Sequence, residues 1–381
     1  MAPSHRERLV KALSHEETDR VPIDFGGGPA TQIHPDAYVA LLEHLGYKLE
    51  PVDEGPRGEG QMVLPSERVL RRFDIDVRGV RIPQVRRPLA GDRHLDDWGV
   101  VWEKAHRTAP YINVEGPLQR LERPSLADLE PIEWPFAEPS AAVAGLRERA
   151  ELIRRAGDSA VVLNLPNCSF AQAQRVRGFS EFLEDLLVNR AFAEALLERV
   201  TDALCRLAIA ALDQIGDMVD VVSFMDDLGA QTGPLLSPQL YRRLVKPHHA
   251  RFVGTLRART RAFVLMHSDG AIRDLLGDLV DIGVQAINPV QVDATGMEPG
   301  RLKRDFGRDL AFWGGIDTHH VLPHGTPDEV AHEVRARVSD LGRGGGYVLA
   351  SVHHIMAEVP PENVVAMFDT ARLASDEGRP L

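Results

Sequence analysis

Short hydrophobic runs alternate along the chain with longer stretches in which hydrophobic positions recur at helical spacing. The runs are 21–26, 74–82, 161–166, 219–227, 262–270, 285–293, 310–317 and 346–354. Most are rich in β-branched or aromatic residues and end in polar residues, as buried parallel strands do. Segments 180–216, 237–260 and 326–342 have the periodicity of amphipathic helices. Eight strands alternating with helices predict a single α/β domain with the (β/α)8 architecture of a TIM barrel.

Two helix starts carry clear end signals. Ser237 and Thr326 are suitable N-cap residues, and each is followed by a proline, Pro238 or Pro327, at the first helical position. The start of a helix is therefore predicted at each site.

The chain is expected to form one domain over residues 1–381. Residues 83–138 have few regular runs, three tryptophans and several prolines, which predicts an inserted β-hairpin and loop excursion. The main alternative is an open, doubly wound sheet, which normally carries a GxGxxG turn after its first strand. The sequence FGGGPA (25–30) lacks that spacing, so the barrel is favoured.

Composition and charge narrow the classes of ligand. Hydrophobic residues make up 44% of the chain and charged residues 26%, as in a globular protein with a large core. The net charge of −12 disfavours binding to nucleic acid or to anionic membranes, so a small-molecule substrate is expected. The first ten residues lack the apolar core of a signal peptide, and no apolar run is long enough to span a bilayer. We expect a cytoplasmic enzyme.

Polar residues at the predicted strand ends are the candidates for chemistry, because the active site of a barrel lies where its strands end. His267 and Asp269 end one strand, and His353 ends the last. Imidazole and carboxylate groups suit zinc or another divalent ion, so these three residues form a candidate metal site. The alternative is that His267 hydrogen-bonds Asp269 and orders the rim without a metal.

Asp226 and Asp227 end another strand and are candidates for a general acid or base. Adjacent residues of a strand point to opposite faces, so one of the two is expected to be structural. His248 and His249 lie in a predicted outer helix and are expected to be surface or packing residues, and Cys168 is expected to be a buried, inert thiol.

The mouth of the barrel should be lined by residues on or next to the strand ends. The candidates for substrate binding are Phe170, Phe224, Gln231, Asn288, Trp313 and Met356.

Five segments together resemble the uroporphyrinogen decarboxylase superfamily, which also contains corrinoid-linked methyltransferases. The segments are RERLVKALSHEETDRVPIDFG (6–26), RVRGFSEFLEDLL (175–187), FMDDLGAQTGPLLSPQLYRRLVKPH (224–248), WGGIDTHHVLPHGTPDEV (313–330) and GGYVLASVHHIMAEVPPENVVAMF (345–368). Their order and spacing cover nearly the whole chain. The resemblance implies the same barrel, and it implies pairing of the barrels into a homodimer.

The decarboxylase branch holds a polycarboxylate porphyrinogen with arginines after the first strand, and an aspartate at the end of the second strand binds the pyrrole N–H groups. Asp76 in DIDVRG looks like that aspartate and would be catalytic. The arginines are absent, because the chain reads GGPATQIHPDAY (27–38) after the first strand. This departure disfavours decarboxylation of uroporphyrinogen itself.

The methyltransferase branch holds zinc with a His-x-Cys motif and a further cysteine near the last strand. MHSDG (266–270) resembles that motif with Asp269 in place of cysteine, and SVHHIM (351–356) offers His353 near the position of the second cysteine. A harder ligand set leaves more positive charge on the ion, which favours polarising the oxygen of a methoxy compound.

Three functions follow as hypotheses. In the first, the chain moves a methyl group from a small methoxylated or methylated compound to a corrinoid carried on a partner protein, with zinc at the triad. In the second, it is a metal-free, decarboxylase-like enzyme that uses Asp76, Asp226 and His353 for proton chemistry on a carboxylated substrate. In the third, it binds a corrinoid or tetrapyrrole without catalysis.

Overall fold

The computed structural model describes residues 2–49, 62–105, 109 and 111–374. The strands in it are β1 (Val77–Arg81), β2 (Arg87–Pro88), β3 (Arg93–Leu95), β4 (Val101–Lys104), β5 (Tyr111–Glu115), β6 (Ala160–Asn167), β7 (Val221–Met225), β8 (Phe263–His267), β9 (Ala286–Asn288), β10 (Ala311–Ile316) and β11 (Tyr347–Ser351). Seven of them form one curled parallel sheet in the order β1-β6-β7-β8-β9-β10-β11. Each of these seven was predicted from its hydrophobic run.

The first predicted strand, 21–26, is not a regular strand. Ile23 forms a single parallel bridge with Leu349 of β11, and its carbonyl accepts a hydrogen bond from the N–H of Asp76, just before β1. The segment therefore lies between the two outermost strands of the sheet but contributes one bridged residue. Phe25 fixes it from outside by packing on Phe368, with ring centroids 4.6 Å apart. Within the described residues the parallel sheet thus has seven regular strands, and the expectation of eight is corrected.

Helices separate the parallel strands. They are α1 (His5–Leu13), α2 (Pro35–His44), α3 (Glu67–Arg72), α4 (Leu146–Ala156), α5 (Ser169–Arg177), α6 (Phe179–Val188), α7 (Arg190–Ile215), α8 (Pro238–Leu240), α9 (Lys246–Arg257), α10 (Leu276–Asp281), α11 (Pro299–Phe306), α12 (Val321–His324), α13 (Pro327–Leu341) and α14 (Pro361–Leu373). Short 3-10 helices lie at Leu126–Leu129 and Arg273–Leu275, and a π-helical turn lies at Tyr241–Val245. Among the described helices, none is both long enough and apolar enough to cross a membrane.

The two predicted helix starts are confirmed. The Ser237 side chain accepts a hydrogen bond from the N–H of Leu240, and Thr326 forms a reciprocal capping box with Glu329. The predicted helix over 180–216 is instead two helices, α6 and α7, which meet at Asn189.

The segment predicted as an inserted hairpin is larger than expected. Strands β2 to β5 form a separate antiparallel sheet in the order β2-β3-β4-β5. Residues 106–108 and 110 of this segment lie outside the described residues. The antiparallel sheet follows β1 directly, and Trp102 of β4 contacts the Arg175 side chain on α5, so the sheet packs beside the helix that begins at the end of β6.

Candidate active site at the carboxyl ends of the strands

Four neighbouring strands end level with one another. In the register of the sheet, Asn167 of β6 lies opposite Met225 of β7, Met225 opposite His267 of β8, and His267 opposite Asn288 of β9. Parallel strands present their carboxyl ends at one edge, so the side chains and loops that follow these residues gather at one place. Asp227, Asp269 and His353 lie in such loops.

Asn288 fixes the orientation of the His267 ring. The Asn288 side-chain nitrogen donates to the carbonyl of Trp313, which directs its oxygen toward His267 Nδ1, 2.5 Å away. An amide oxygen can only accept, so His267 Nδ1 carries the proton and donates it. In the neutral imidazole, Nε2 therefore has a free lone pair, which is the arrangement found in metal-ligating histidines.

Nε2 of His267 faces carboxylates at distances longer than hydrogen bonds. It lies 3.6 Å from an oxygen of Asp269 and 3.8 Å from an oxygen of Asp227. His353 Nε2 lies 3.9 Å from the same oxygen of Asp269. Two ligands of one zinc ion, with bonds of about 2.0–2.2 Å in a tetrahedron, are separated by about 3.3–3.6 Å. The ligand atoms of His267, Asp269 and His353 all lie within 4.8 Å of one another, so the three fit a shared metal ion after small adjustments.

The electrostatics of the group also favour a cation. Burial alone would lower the pKa of His267, but Asp269, Asp227 and the bond to Asn288 raise it to about 9. Burial would likewise raise the pKa of Asp269, but His267 and His353 hold it at about 2. Burial is the main cause of the lowered pKa of His353. A positive charge between Asp269 and His267 is therefore stabilised, whether a proton or a metal ion carries it.

The site is closed on one side and open on the other. His267 is 2% exposed at the level of its side chain, whereas Asp269 and His353 are 35% and 42% exposed. Asp227 is also half-exposed and accepts a hydrogen bond from the N–H of Asp269 at 3.2 Å. This arrangement leaves a position on the open side where a substrate could approach, as catalytic metal sites require.

Asp226 points away from this group. Its carboxylate is fully buried and accepts hydrogen bonds from the N–H groups of Phe170 and Ala171, at the start of α5, and from His249 Nε2 at 2.7 Å. One of the two aspartates was expected to be structural, and the buried, fully bonded carboxylate of Asp226 fits that expectation. His249 is a packing residue, since its Nδ1 lies 3.1 Å from the hydroxyl of Tyr241.

Cys168 lies beside this buried pair. The ligand atoms of Cys168, Asp226 and His249 also lie within 4.8 Å of one another, but the Asp226 carboxylate is already occupied by its donors. Burial and the neighbouring Asp226 raise the pKa of the Cys168 thiol, which favours the uncharged form. An inert thiol is the interpretation that agrees with the sequence expectation.

Asp76 lies at the opposite end of the sheet. It precedes β1, is fully buried, and accepts from Arg8 Nη1 and Arg20 Nη1 at 2.6 Å each and from the N–H of Ile23 at 2.7 Å. The predicted catalytic aspartate is therefore not brought to the candidate site. Its two guanidinium partners explain its burial, because a buried carboxylate requires compensation of its charge.

Three predicted lining residues have essentially no accessible surface. Phe170 packs on Phe182 in the layer of helices, Phe224 packs on Phe252 of α9, and the Trp313 ring N–H donates to Asp24 at 2.9 Å. These side chains belong to the core, so they do not line the mouth.

The other predicted lining residues are placed differently. Asn288 orients a candidate ligand. Gln231 is exposed on the rim and bonds the backbone carbonyl of Asp293 at 2.8 Å. Met356 is half-buried in the loop after β11.

Sequence reasoning missed Asp24, a buried carboxyl that accepts from Gly27 N–H at 2.8 Å and from the ring of Trp313. Its position in the first hydrophobic run was a usable signal. Burial raises the pKa of Asp24.

The fold and the residues at its edge define an α/β protein with a candidate active site at the carboxyl ends of parallel strands. The sequence model of the family described as uroporphyrinogen decarboxylase (URO-D) matches residues 114–373. The chain therefore belongs to the uroporphyrinogen decarboxylase family, as predicted. The matched range excludes segment 6–26, on which the resemblance also relied.

Curated relatives are distant. The uroporphyrinogen decarboxylase of Crocosphaera subtropica is 25% identical over 206 residues, covering 52% of this chain and 54% of that protein. The uroporphyrinogen decarboxylase of Pseudoalteromonas translucida is 27% identical over 173 residues, covering 40% and 44%. The chain thus matches about half the length of these relatives.

Similarity to a solved structure extends along nearly the whole chain. A methyltransferase from Methanosarcina mazei has a TM-score of 0.67 at 18% identity, covering 97% of this chain and 98% of its own. At this identity the likeness shows the fold alone.

Proposed function

We propose that this protein is a metal-dependent methyltransferase that moves a methyl group from a small methoxylated or methylated compound to a corrinoid carried by a partner protein. The metal we assign is zinc, held by His267, Asp269 and His353. We also propose that the segment around Ile23 closes the curled sheet into a barrel. The predicted homodimer stays a prediction.

One observation supports this function most. Nε2 of His267 and Nε2 of His353 lie 3.6 and 3.9 Å from a shared oxygen of Asp269. These separations are too long for hydrogen bonds and close to the spacing of ligands around one ion. Direct hydrogen bonds would be expected if the three residues only ordered the rim.

Bound zinc would supply a positive charge that polarises the oxygen or other heteroatom bearing the methyl group. Asn288 would keep the His267 lone pair directed at the site by accepting the Nδ1 proton. Asp227, half-exposed and 3.8 Å from His267 Nε2, is the carboxyl that we assign to proton transfer on the demethylated oxygen. Asp226 and Asp76 have no part in this proposal, since their carboxylates are occupied by other groups.

Decarboxylation is the second candidate function. Its support is that the curated relatives are named uroporphyrinogen decarboxylase. Such an enzyme would use His353 and Asp227 for proton chemistry and would need no metal. It would also need another residue in the role that was expected of Asp76.

Zinc content separates the two candidates. Protein purified without chelator should contain close to one zinc per chain, and His267→Ala should contain little. His332→Ala is the matched control, because His332 is exposed on α13, away from the site. Full zinc content in the His267→Ala variant, or zinc-free wild-type protein that cannot be loaded, would contradict the proposal.

Activity is the second readout. Zinc-loaded wild type should transfer methyl groups from methoxylated compounds to reduced cobalamin, and His267→Ala should not. Release of carbon dioxide from a carboxylated substrate by metal-free protein would favour the decarboxylase instead.

A further inference from the structure

Arg175, on α5, has no acidic partner among the residues that the structure describes. The guanidinium of Arg175 lies 4.9 Å from the centre of the Trp102 ring and contacts the side-chain amide of Asn167. With that amide turned so that its oxygen faces the guanidinium, the oxygen accepts from Arg175 Nη2 at 3.1 Å. Within the described part of the chain, no carboxylate lies within ion-pair distance of Arg175. A half-buried guanidinium held by an amide and an aromatic ring keeps its charge uncompensated.

Arg177 shows the contrast on the same helix. It bonds Asp185 at 2.7 Å and the carbonyl of Leu118 at 2.9 Å, and all three residues are buried. The charge of this buried, structural arginine is therefore balanced by a carboxylate. Arg175, two residues away, is left without such compensation.

Gln172 lies one helical turn before Arg175 and is 3% exposed. The nitrogen of its side-chain amide is buried and has no hydrogen-bond partner among the described residues. Residues three apart are neighbours on the surface of a helix, so this donor and the guanidinium share one face of α5. An unsatisfied buried donor costs about 1–3 kcal/mol, so such groups are uncommon without a ligand or a bound water.

Arg175 contacts the end of β6, which lies two strands away from the end of β8 and its candidate metal ligand His267. Asn167, which contacts Arg175, ends β6, and His267 ends β8 in the same register, with Met225 of β7 between them. Two strand spacings amount to about 10 Å between Asn167 and His267 at the backbone. The two strand ends are thus close enough for one small molecule to lie between Arg175 and the metal site.

We propose that Arg175, Gln172 and Asn167 form an anion subsite that binds the carboxylate of a small organic acid. This assignment rests on the proposed function for the reacting end of the substrate, since the metal site would act on the other end. A carboxylate accepts two parallel hydrogen bonds from a guanidinium, and the free amide donor of Gln172 would supply a further bond. The ring of Trp102 forms one wall of the subsite.

Benzoate and benzamide are a matched pair of probes for this subsite, because they share shape and differ in charge. Calorimetric titration of the whole protein should show benzoate binding at least about tenfold tighter than benzamide. Arg175→Gln should weaken benzoate by about tenfold to a hundredfold and leave benzamide unchanged. Arg175→Lys should lie between, since it keeps the charge but not the planar fork. Gln172→Leu should reduce benzoate affinity by less than Arg175→Gln.

Arg86→Gln is the control. Arg86 is exposed and stacks 5.5 Å from the ring of Tyr111 in the same antiparallel sheet, so its loss should change neither affinity. Thermal unfolding of each variant shows whether a change in binding follows from a change in stability.

The same titration on His267→Ala separates this subsite from the metal site. Retained preference for benzoate in that variant is expected, whether or not the protein holds zinc. Equal affinity of wild type for the two probes, absence of benzoate binding, or an equal loss of both probes in Arg175→Gln would overturn the subsite.

Discussion

Charged side chains are arranged differently at the two ends of the parallel sheet. At the amino end, Asp76 contacts Arg8 and Arg20 at 2.6 Å, and all three side chains are buried. At the carboxyl end, His267 stands 3.6 Å from Asp269, and no hydrogen bond joins the two. Opposite charges touch at one end and remain apart at the other.

This difference separates stability from function. A buried carboxylate in contact with two guanidinium groups is compensated, and it holds α1 and the first hydrophobic run against β1. Groups held apart by the fold keep their capacity to bind a ligand. We therefore expect substitutions at the amino end to change stability and substitutions at the carboxyl end to change binding.

The largest expected effect is on stability at the amino end. Asp76→Ala leaves the guanidinium groups of Arg8 and Arg20 buried without their shared carboxylate, which should cost about 3–5 kcal/mol of unfolding free energy. Urea denaturation followed by circular dichroism measures the loss. Asp269→Asn is the counterpart at the other end and should cost clearly less than Asp76→Ala, because the Asp269 side chain is partly exposed and touches no cation directly. A loss below about 1 kcal/mol for Asp76→Ala would contradict the stabilising role that we assign to the amino end of the sheet.

The next effect is on metal binding at the carboxyl end. Asn288→Ala removes the acceptor that fixes the His267 ring, so zinc affinity should fall about tenfold to a hundredfold. Competition with a chromophoric chelator measures this affinity. Gln231→Ala removes another amide of the rim that touches no candidate ligand and should leave the affinity unchanged. Unaltered zinc binding by Asn288→Ala would show that the contact does not orient a ligand.

The smallest expected effect is the pH dependence of the stability that Asp74 contributes at the amino end. Burial would raise the pKa of Asp74, but hydrogen bonds from His5 and Arg20 lower it to about 2. A depressed pKa adds stability above the unfolded value of about 4, and this stability is lost as the pH falls toward 2. Since the Asp74 side chain is 41% exposed, the contribution should be about 1 kcal/mol. The difference in unfolding free energy between wild type and Asp74→Asn should be constant from pH 7 to 5 and shrink below pH 4. A difference that grows on acidification would contradict this sign.

Hydrophobic patterning predicted the parallel sheet because strands buried on both faces form continuous apolar runs. It failed at residues 21–26, where the apolar run is present but the backbone makes one bridge at Ile23. Whether a segment pairs as a β-strand depends on the path of the strands beside it. The local pattern of hydrophobic residues carries no information about that path. The same limit explains the insert, whose four short strands pair with one another and carry weak individual signals.

Strand-end polarity predicted the grouping of His267, Asp269 and His353, because the fold places such residues at one edge. It could not distinguish Asp227 from Asp226, since the buried partner of Asp226 is His249, on a helix elsewhere in the sequence. Asp76 was assigned from the resemblance to the decarboxylases, and the local sequence did not show that its carboxylate is paired with Arg8 and Arg20, which are distant in the chain. Arg175 had no signal at all, because an arginine in a helix is usually exposed.

Crystals soaked with zinc and measured at its absorption edge test the central claim most directly. We predict one anomalous peak about 2.0–2.2 Å from His267 Nε2, an oxygen of Asp269 and His353 Nε2. A peak at Cys168, Asp226 and His249 instead, or a fully loaded crystal with no peak between the first three residues, would contradict it.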